Sequence, residues 1–272
     1  MPFVTGFVSR VGGRGHNEDY CNFLDLGPAA CWVTADGLGG HRGGEIASRN
    51  AVEAVLASFR ADPQVSAAAL QHHLDAAQAA VLQAQAEQAN LSTMRTTIVA
   101  LIADSTRVQW GHVGDSRLYC LEKGEIAFQT SDHSVVQMLV DAGDLKPEQI
   151  RHHEDRNRLL RCLGNQGTDL RPTILTDPRP LSGGSAFLLC TDGFWENVLE
   201  REMEVDFAKA DDAFDWLTLM EDRLLERATE NDDNYTAMAV IFNPEAAAKT
   251  SLSNALSNQT SAKDKSAKTA SL

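Results

Sequence analysis

Apolar residues recur along this 272-residue chain with two distinct periods. From Gly44 to Ala61, Val52, Val55, Leu56 and Phe59 fall on one helical face, and from Ser66 to Ala89, Leu70, Leu74, Ala77 and Val81 do the same. That spacing predicts two long adjacent amphipathic helices. The pattern then shortens into apolar runs of strand length: TTIVALIA (Thr96–Ala103), RVQWGHV (Arg107–Val113), RLYCL (Arg117–Leu121) and EIAFQ (Glu125–Gln129). Helical pieces are expected at Ser134–Ala142 and around Arg158–Leu163. AACWV (Ala29–Val33), SAFLLC (Ser185–Cys190) and TAMAVIF (Thr236–Phe242) are further strands, and Asp211–Thr229 is a helix with Phe214, Leu217, Leu224 and Ala228 turned inward. Strands in runs beside helices in runs favour an α+β antiparallel layered domain over an alternating βαβ sheet. No linker interrupts residues 1–244, so they read as one domain.

Composition narrows the function. A hydrophobic content of 43% is ample for a core, and no apolar run is long enough to span a membrane. The start lacks the features of a secretory signal, and the five cysteines (Cys21, Cys31, Cys120, Cys162, Cys190) form no CxxC pair. Cys31, Cys120 and Cys190 sit in strand-like runs, as buried free thiols in a reducing cytoplasm would. Net charge is −14, which argues against nucleic acid or an anionic membrane as main partner. Residues 245–272 are rich in Ser, Ala and Lys, and are expected to be a disordered tail. Without them the body is at −16, with 20 basic against 36 acidic side chains.

The acids fall in a pattern. Three apolar strands run into aspartates, at Asp36-Gly37, Asp115 and Asp192-Gly193, and Asp233 immediately precedes the closing strand. The stretch TADGLGGHRGG (Thr34–Gly44) gives up nearly all side-chain bulk after its acid. A glycine-rich turn can cradle phosphate, but here there is no P-loop Lys-Ser/Thr, and a leading acid would repel the anion. A cation between acid and phosphate removes the conflict. Antiparallel neighbours bring strand ends of opposite polarity together, so the four carboxylates could gather at one rim. Oxygen-only ligands select Mg²⁺ or Mn²⁺ over Zn²⁺. Each Asp-Gly read alone is also an ordinary turn.

ArgGlyHisAsnGluAsp (Arg14–Asp19), AspGlyLeuGlyGlyHis (Asp36–His41), GlyAspSerArg (Gly114–Arg117), SerAspHisSer (Ser131–Ser134), ThrAspGlyPheTrpGlu (Thr191–Glu196) and AspAsn (Asp233–Asn234) occur in that order. Together they resemble the bacterial branch of the metal-dependent type 2C protein phosphatases, over roughly Val8 to Phe242. The resemblance implies a four-layer α/β/β/α sandwich with a central antiparallel β-sandwich and a dimetal site at one end. It implies that Asp36 bridges two Mg²⁺ or Mn²⁺ ions, with the Gly37 carbonyl on one and Asp192 and Asp233 on the other. Glu18 and Asp19 would act mostly through metal-bound water, and Arg14 would grip the substrate phosphate. Asp115 and Glu196 fall where relatives hold a third, weaker ion; alternatively, Asp115 caps a turn and Glu196 sits on a solvated helix start. Leu38 stands where some relatives carry a proposed acid His. Either metal-bound water protonates the leaving group or His41 does, and His41 also fits a solvated loop.

The activity implied is hydrolysis of phosphoserine and phosphothreonine in proteins by a dimetal-activated water, reversing a bacterial Ser/Thr kinase. Partners would be phosphorylated proteins, including a cognate kinase or its substrates, with the enzyme monomeric. A two-metal phosphodiesterase and a catalytically weak phosphoprotein-binding regulator are the alternatives. Ser134–Leu163 corresponds to the family's flap, Arg156–Gly164 reads as structural, and His72-His73 and His152-His153 read as solvated.

Overall fold

A computed structural model describes residues 2–39, 43–166, 170–230 and 232–243; His41 and the expected tail lie outside them. The chain forms β1 (Phe3–Arg10), β2 (Tyr20–Asp25), β3 (Ala29–Ala35) and a short β4 (Gly37–Leu38), then the helices α1 (Gly43–Ala61) and α2 (Ala67–Glu87). A short β5 (Arg95–Thr96) leads into two successive hairpins, β6 (Ile98–Asp104) with β7 (Arg107–Val113) and β8 (Arg117–Glu122) with β9 (Glu125–Gln129). After α3 (Val135–Asp141) come two short strands, β10 (Thr173–Ile174) and β11 (Arg179–Pro180), and then β12 (Ala186–Cys190). The helices α4 (Asp192–Trp195), α5 (Glu200–Phe207) and α6 (Ala213–Arg227) precede β13 (Tyr235–Phe242).

The strands form two antiparallel sheets, in the orders β1-β13-β12-β8-β9 and β10-β7-β6-β3-β2. Side-chain alternation explains why so many strands are apolar throughout. Trp32, Leu101, Trp110, Leu118, Phe187, Leu189 and Val240 point between the sheets. Their neighbours Cys31, Val33, Ala100 and Ile102 point outward against α1 and α2, while Tyr119, Leu121, Leu188 and Ala239 meet α5 and α6. Both faces of the inner strands are buried, so the antiparallel sheets lack their usual polar face there, while the edge strands β2 and β9 stay partly exposed. The result is the expected four-layer α/β/β/α sandwich.

The topology also carries the strand ends to one place. β3 and β7 each run antiparallel to β6 between them, so both finish at the same end. In the other sheet, β12 finishes beside the start of β13, with Cys190 opposite Ala237. Asp36, Asp115, Asp192 and Asp233 follow or precede these ends directly.

Four expectations need correction. Residues 158–163 are not helical: Leu159 bridges Ser134 and Leu163 bridges Thr96, so this segment is stitched into the sheet edges. The expected strand Thr96–Ala103 divides into β5 and β6 around Thr97. In α6, Phe214 is exposed and Ala228 lies beyond the last turn, while Trp216 and Met220 join Leu217 and Leu224 inside. His73 is not solvated: it is fully buried between α1 and α2, its Nδ1 2.8 Å from Ser58 Oγ, and burial pushes its pKa down to about 4.

Leu189 is fully buried between the sheets. Leu189→Ala should destabilise the fold by about 2–5 kcal/mol through lost transfer energy and a residual cavity. Urea denaturation followed by tryptophan fluorescence checks this, and a loss under ~1 kcal/mol would mean that the central layer repacks.

Candidate active site

At the end of the sandwich where these strands converge lies a cavity of about 370 Å³. Arg14, Glu18, Asp36, Asp115, Asp192 and Asp233 line it, with Leu38 and Leu159 as apolar wall. Each acid is positioned through its backbone. The Asp36 N–H donates to Thr97 Oγ1 at 3.0 Å, and its carbonyl accepts from the Thr97 N–H at 2.8 Å and the Thr96 hydroxyl at 2.7 Å. Both backbone groups are thereby satisfied, and the carboxylate is left to the cavity.

Gly37 is required by a close approach. Its N–H donates to the Glu18 carbonyl at 3.1 Å, and a Cβ there would stand 2.1 Å from the Gly44 carbonyl oxygen. Gly114 has the other constraint, a φ of +106° and a virtual Cβ 2.6 Å from Thr97 Cγ2, and it turns the chain into Asp115.

Asn234 clips the first loop to the last strand. Its side chain accepts from the Glu18 N–H at 2.7 Å and donates to the Val11 and His16 carbonyls at 2.8 and 2.9 Å. Thr191 connects deeper parts: its hydroxyl donates to Asp19 Oδ2 at 2.8 Å and accepts from the Thr236 N–H at 2.9 Å. Under Asp115 lies a buried cation. Arg117 grips Asp132 with two bonds of 2.8 Å and stacks 3.4 Å over the Trp195 ring. The Trp195 indole N–H in turn donates to the Asp115 carbonyl at 3.0 Å.

The electrostatics are those of an uncompensated acidic cluster. Burial first, and then the neighbouring Asp192, Asp19, Asp115 and Asp233, drive the Asp36 carboxyl well above the usual range. Asp115 is raised in the same way, by burial and then by Asp192 and Asp132. Asp192 rises to about 6 and Asp19 to about 8, each chiefly through burial. Asp115 Oδ1 is buried with no hydrogen-bond partner. A divalent cation would neutralise the repulsion and supply a partner for that oxygen, so the residues present fit one. Among the described residues no three His, Cys, Asp or Glu side chains form a ready-made ligand set. The carboxylates surround a space instead of closing on a point. A hard ion there would complete its shell from a backbone carbonyl, such as that of Gly37, and from water.

The predicted site residues thus separate into groups. Arg14, Glu18, Asp36, Gly37, Asp115, Asp192 and Asp233 share the one cavity. Asp19 lies behind it, buried, and borders a neighbouring hollow with Tyr20 and Arg49. Glu196 stands in an adjoining cavity, ion-paired with Arg156 at 2.8 Å, so it is not on a solvated surface. Arg14 Nη2 lies 2.8 Å from Asp233 Oδ2. Sequence reasoning missed the positioning roles of Thr191, Asn234 and Trp195, although each lies in a quoted motif beside a singled-out acid.

A sandwich of this topology with carboxylates and one arginine around a polar cavity fits a metal-dependent phosphoester hydrolase. The profile of the protein phosphatase 2C family matches residues 9–233, and the chain belongs to that family. The Listeria monocytogenes serine/threonine phosphatase stp is 34% identical over 198 residues, 70% of this chain and 77% of that protein. Mycobacterium tuberculosis PstP is 35% identical over 192 residues, 69% of this chain and 35% of PstP. A PstP crystal structure superposes with a TM-score of 0.78 at 28% identity, covering 89% of this chain and 99% of that one. A structure of the PstP catalytic domain holds two manganese ions; it has a TM-score of 0.75 at 27% identity, covering 88% of this chain and 97% of that one. PppA, described as a key regulatory component of the type VI secretion system in Pseudomonas aeruginosa, is 28% identical with a TM-score of 0.70, covering 88% and 97% of the two chains. The chain is a bacterial-type Ser/Thr protein phosphatase of a family that uses divalent metals. No helix among the described residues is long and apolar enough to cross a membrane.

The raised carboxyls have a thermodynamic signature. Their folded pKa values exceed the ordinary 3.8, reaching about 6 for Asp192 and about 8 for Asp19, so folding takes up protons. Stability is therefore lost as pH rises through that window, unless a cation compensates. Thermal melts in chelator and in excess Mn²⁺ should show a melting-temperature gain that is larger at about pH 8 than at about pH 5. Equal gains at both pH values would contradict the electrostatic account.

Proposed function

We propose that this phosphatase holds two divalent ions, Mg²⁺ or Mn²⁺, with Asp36, the Gly37 carbonyl, Asp192 and Asp233, and reverses the action of a bacterial Ser/Thr kinase. The observation that supports it most is the convergence of Glu18, Asp36, Asp115, Asp192 and Asp233 with Arg14 around one cavity. When bound, such ions supply Lewis acidity, which acidifies water and offsets charge on phosphoryl oxygens.

The protein's own groups do the rest. Arg14 sits at the rim with its side chain 54% exposed, within reach of a macromolecular substrate. Its planar fork can take two phosphoryl oxygens and so hold phosphorus in one orientation. Asp233 keeps that fork aimed inward until substrate arrives. Glu18, its backbone anchored by Asn234, and Asp19, bonded to Thr191, supply acceptors that order water. Asp115, with its unpartnered Oδ1, is the better of the two candidates for a third, weaker ion, because the Glu196 carboxylate already accepts from Arg156. A thiol nucleophile has no support: no cysteine lines the cavity, and burial pushes the Cys31, Cys120 and Cys190 thiols up. The phosphorylated proteins acted on would be the kinase itself or its substrates.

Turnover of p-nitrophenyl phosphate should require Mn²⁺ or Mg²⁺ and vanish in EDTA; full turnover on verified metal-free protein would end the proposal. Arg14→Ala should raise KM for this monoester about tenfold, the loss expected for a charge-assisted bond to phosphate. An unchanged KM would remove Arg14 from the substrate site.

A further inference from the structure

A second cavity, of about 260 Å³, opens beside the first and shares Arg14, Asn157, Asp192 and Asp233 with it. Its separate wall sets Arg151, His152 and Arg156, all from the segment that follows α3, against Glu196, Asn197 and Asp232. The acids around this cavity already have partners: Asp233 accepts from Arg14 Nη2 at 2.8 Å and Asp192 Oδ1 from the Gly193 N–H at 2.7 Å. Glu196 accepts from Arg156 Nε at 2.8 Å, Glu200 accepts from Arg151 Nη2 at 2.6 Å, and Asp232 accepts from the Thr229 N–H and hydroxyl at 2.9 and 2.6 Å.

Donor capacity is left over. The Arg151 side chain is only 8% exposed, and its Nη1 is buried with no hydrogen-bond partner. Arg156, 36% exposed, meets Glu196 through Nε, which leaves its terminal nitrogens for another acceptor. An unpaired guanidinium donor in a closed site is unfavourable, and an anion there would complete it. Arg14 belongs to both cavities. A phosphate held against Arg14 therefore has the Arg156 cavity directly beside it.

We propose that this second cavity is a subsite for a second anionic group on the phosphopeptide, either another phosphoryl group or a carboxylate, with Arg156 and Arg151 as its donors. The inference rests on the reading of the first cavity as the site of phosphoprotein hydrolysis. Glu196 is then a resident competitor: its carboxylate holds Arg156, and the incoming anion must draw the guanidinium away. A phosphoryl group, with about −1.5 to −2 charge and three acceptor oxygens, competes better than a carboxylate. Substrates with two nearby phosphates should be preferred.

The test uses the full-length, Mn²⁺-loaded protein and three synthetic peptides. Each carries one phosphothreonine, followed two residues later by phosphoserine, Asp or Ala. Loss of phosphate from the phosphothreonine is followed by mass spectrometry. The readout is the ratio of kcat/KM for each acidic peptide to that for the Ala peptide, which cancels effects on the chemical step. The wild-type ratio should be about 10 for the phosphoserine peptide, the scale of one charge-assisted contact. Arg156→Gln should bring it close to 1, while Glu196→Gln, which frees the arginine, should raise it. Arg179→Gln, whose parent side chain pairs with Glu122, controls for general charge and should leave the ratio unmoved. A gain for phosphoserine alone assigns the subsite to phosphate, and an equal gain for Asp assigns it to any anion. Ratios near 1 in the wild type, or ratios indifferent to both Arg156→Gln and Glu196→Gln, overturn the subsite. Failure to hydrolyse any of the peptides overturns the phosphatase reading of the first cavity instead.

Discussion

Repulsion among carboxylates buried at one end of the sandwich is the interaction to which the rest of the molecule answers. Burial first, and then neighbouring aspartates, raise Asp36, Asp115 and Asp192, and the pull of Arg117 on Asp115 and of Arg156 on Asp192 does not offset that. Arg14, at the rim, reaches only Asp233. Left to flexible loops, such a cluster would spread into solvent. It persists because each acid hangs from backbone that the fold holds elsewhere: Asp36 by Thr96 and Thr97, Glu18 by Asn234, Asp115 by the turn at Gly114. The packed layers supply the rigidity, and charge gathered in this way suits a hard cation.

The buried ion pair of Arg117 and Asp132 belongs to the same economy. Two side chains at most 4% exposed, joined by paired bonds, offer little net stability over an apolar replacement. Their geometry does more. Arg117 fixes the plane of Trp195, and the indole N–H fixes the carbonyl of Asp115. An orientation thus passes from a core ion pair to a cavity carboxylate through two contacts, neither of which needs the metal.

The fold was largely legible in the chain because its signals are local. A run such as Ser185–Cys190 is apolar on both faces, and an acid directly after such a run stands out wherever it occurs. Reading failed where meaning depends on a distant partner. The stretch 158–163 carries helix-compatible residues but is held by bridges to Ser134 and Thr96. His72 and His73 look alike in sequence, yet only His73 meets Ser58 and Phe59 across the helix pair. In α6, spacing pointed to Phe214 as inward; the buried stripe runs instead through Ala213, Trp216, Leu217, Met220 and Leu224. Among the site residues, Asp36, Asp115, Asp192 and Asp233 stood out by their position at strand ends, while Glu18, Asp19 and Glu196 came only with the family resemblance. Asn234 and Thr191 were not legible, because their work is a hydrogen bond spanning some 170–220 residues of chain.

One short helix ties the two cavities together. α4 begins at Asp192, which lines both, and its last residues are Trp195 and, just beyond, Glu196. Trp195 takes Arg117 on its ring at 3.4 Å and Arg151 at 5.4 Å, while Glu196 takes Arg156. The segment following α3 is therefore anchored to the helix that presents a metal-binding candidate, through two arginines and not through apolar packing alone. The Arg151 anchor is a buried cation on an aromatic ring, and the Arg156–Glu196 anchor is a charge pair at intermediate burial, weak enough to exchange for an anion of comparable charge. An apolar anchor at the same points would hold the segment as well but could not respond to substrate charge. The choice of arginine here makes sense for a wall that must both position the cavity and read what enters it.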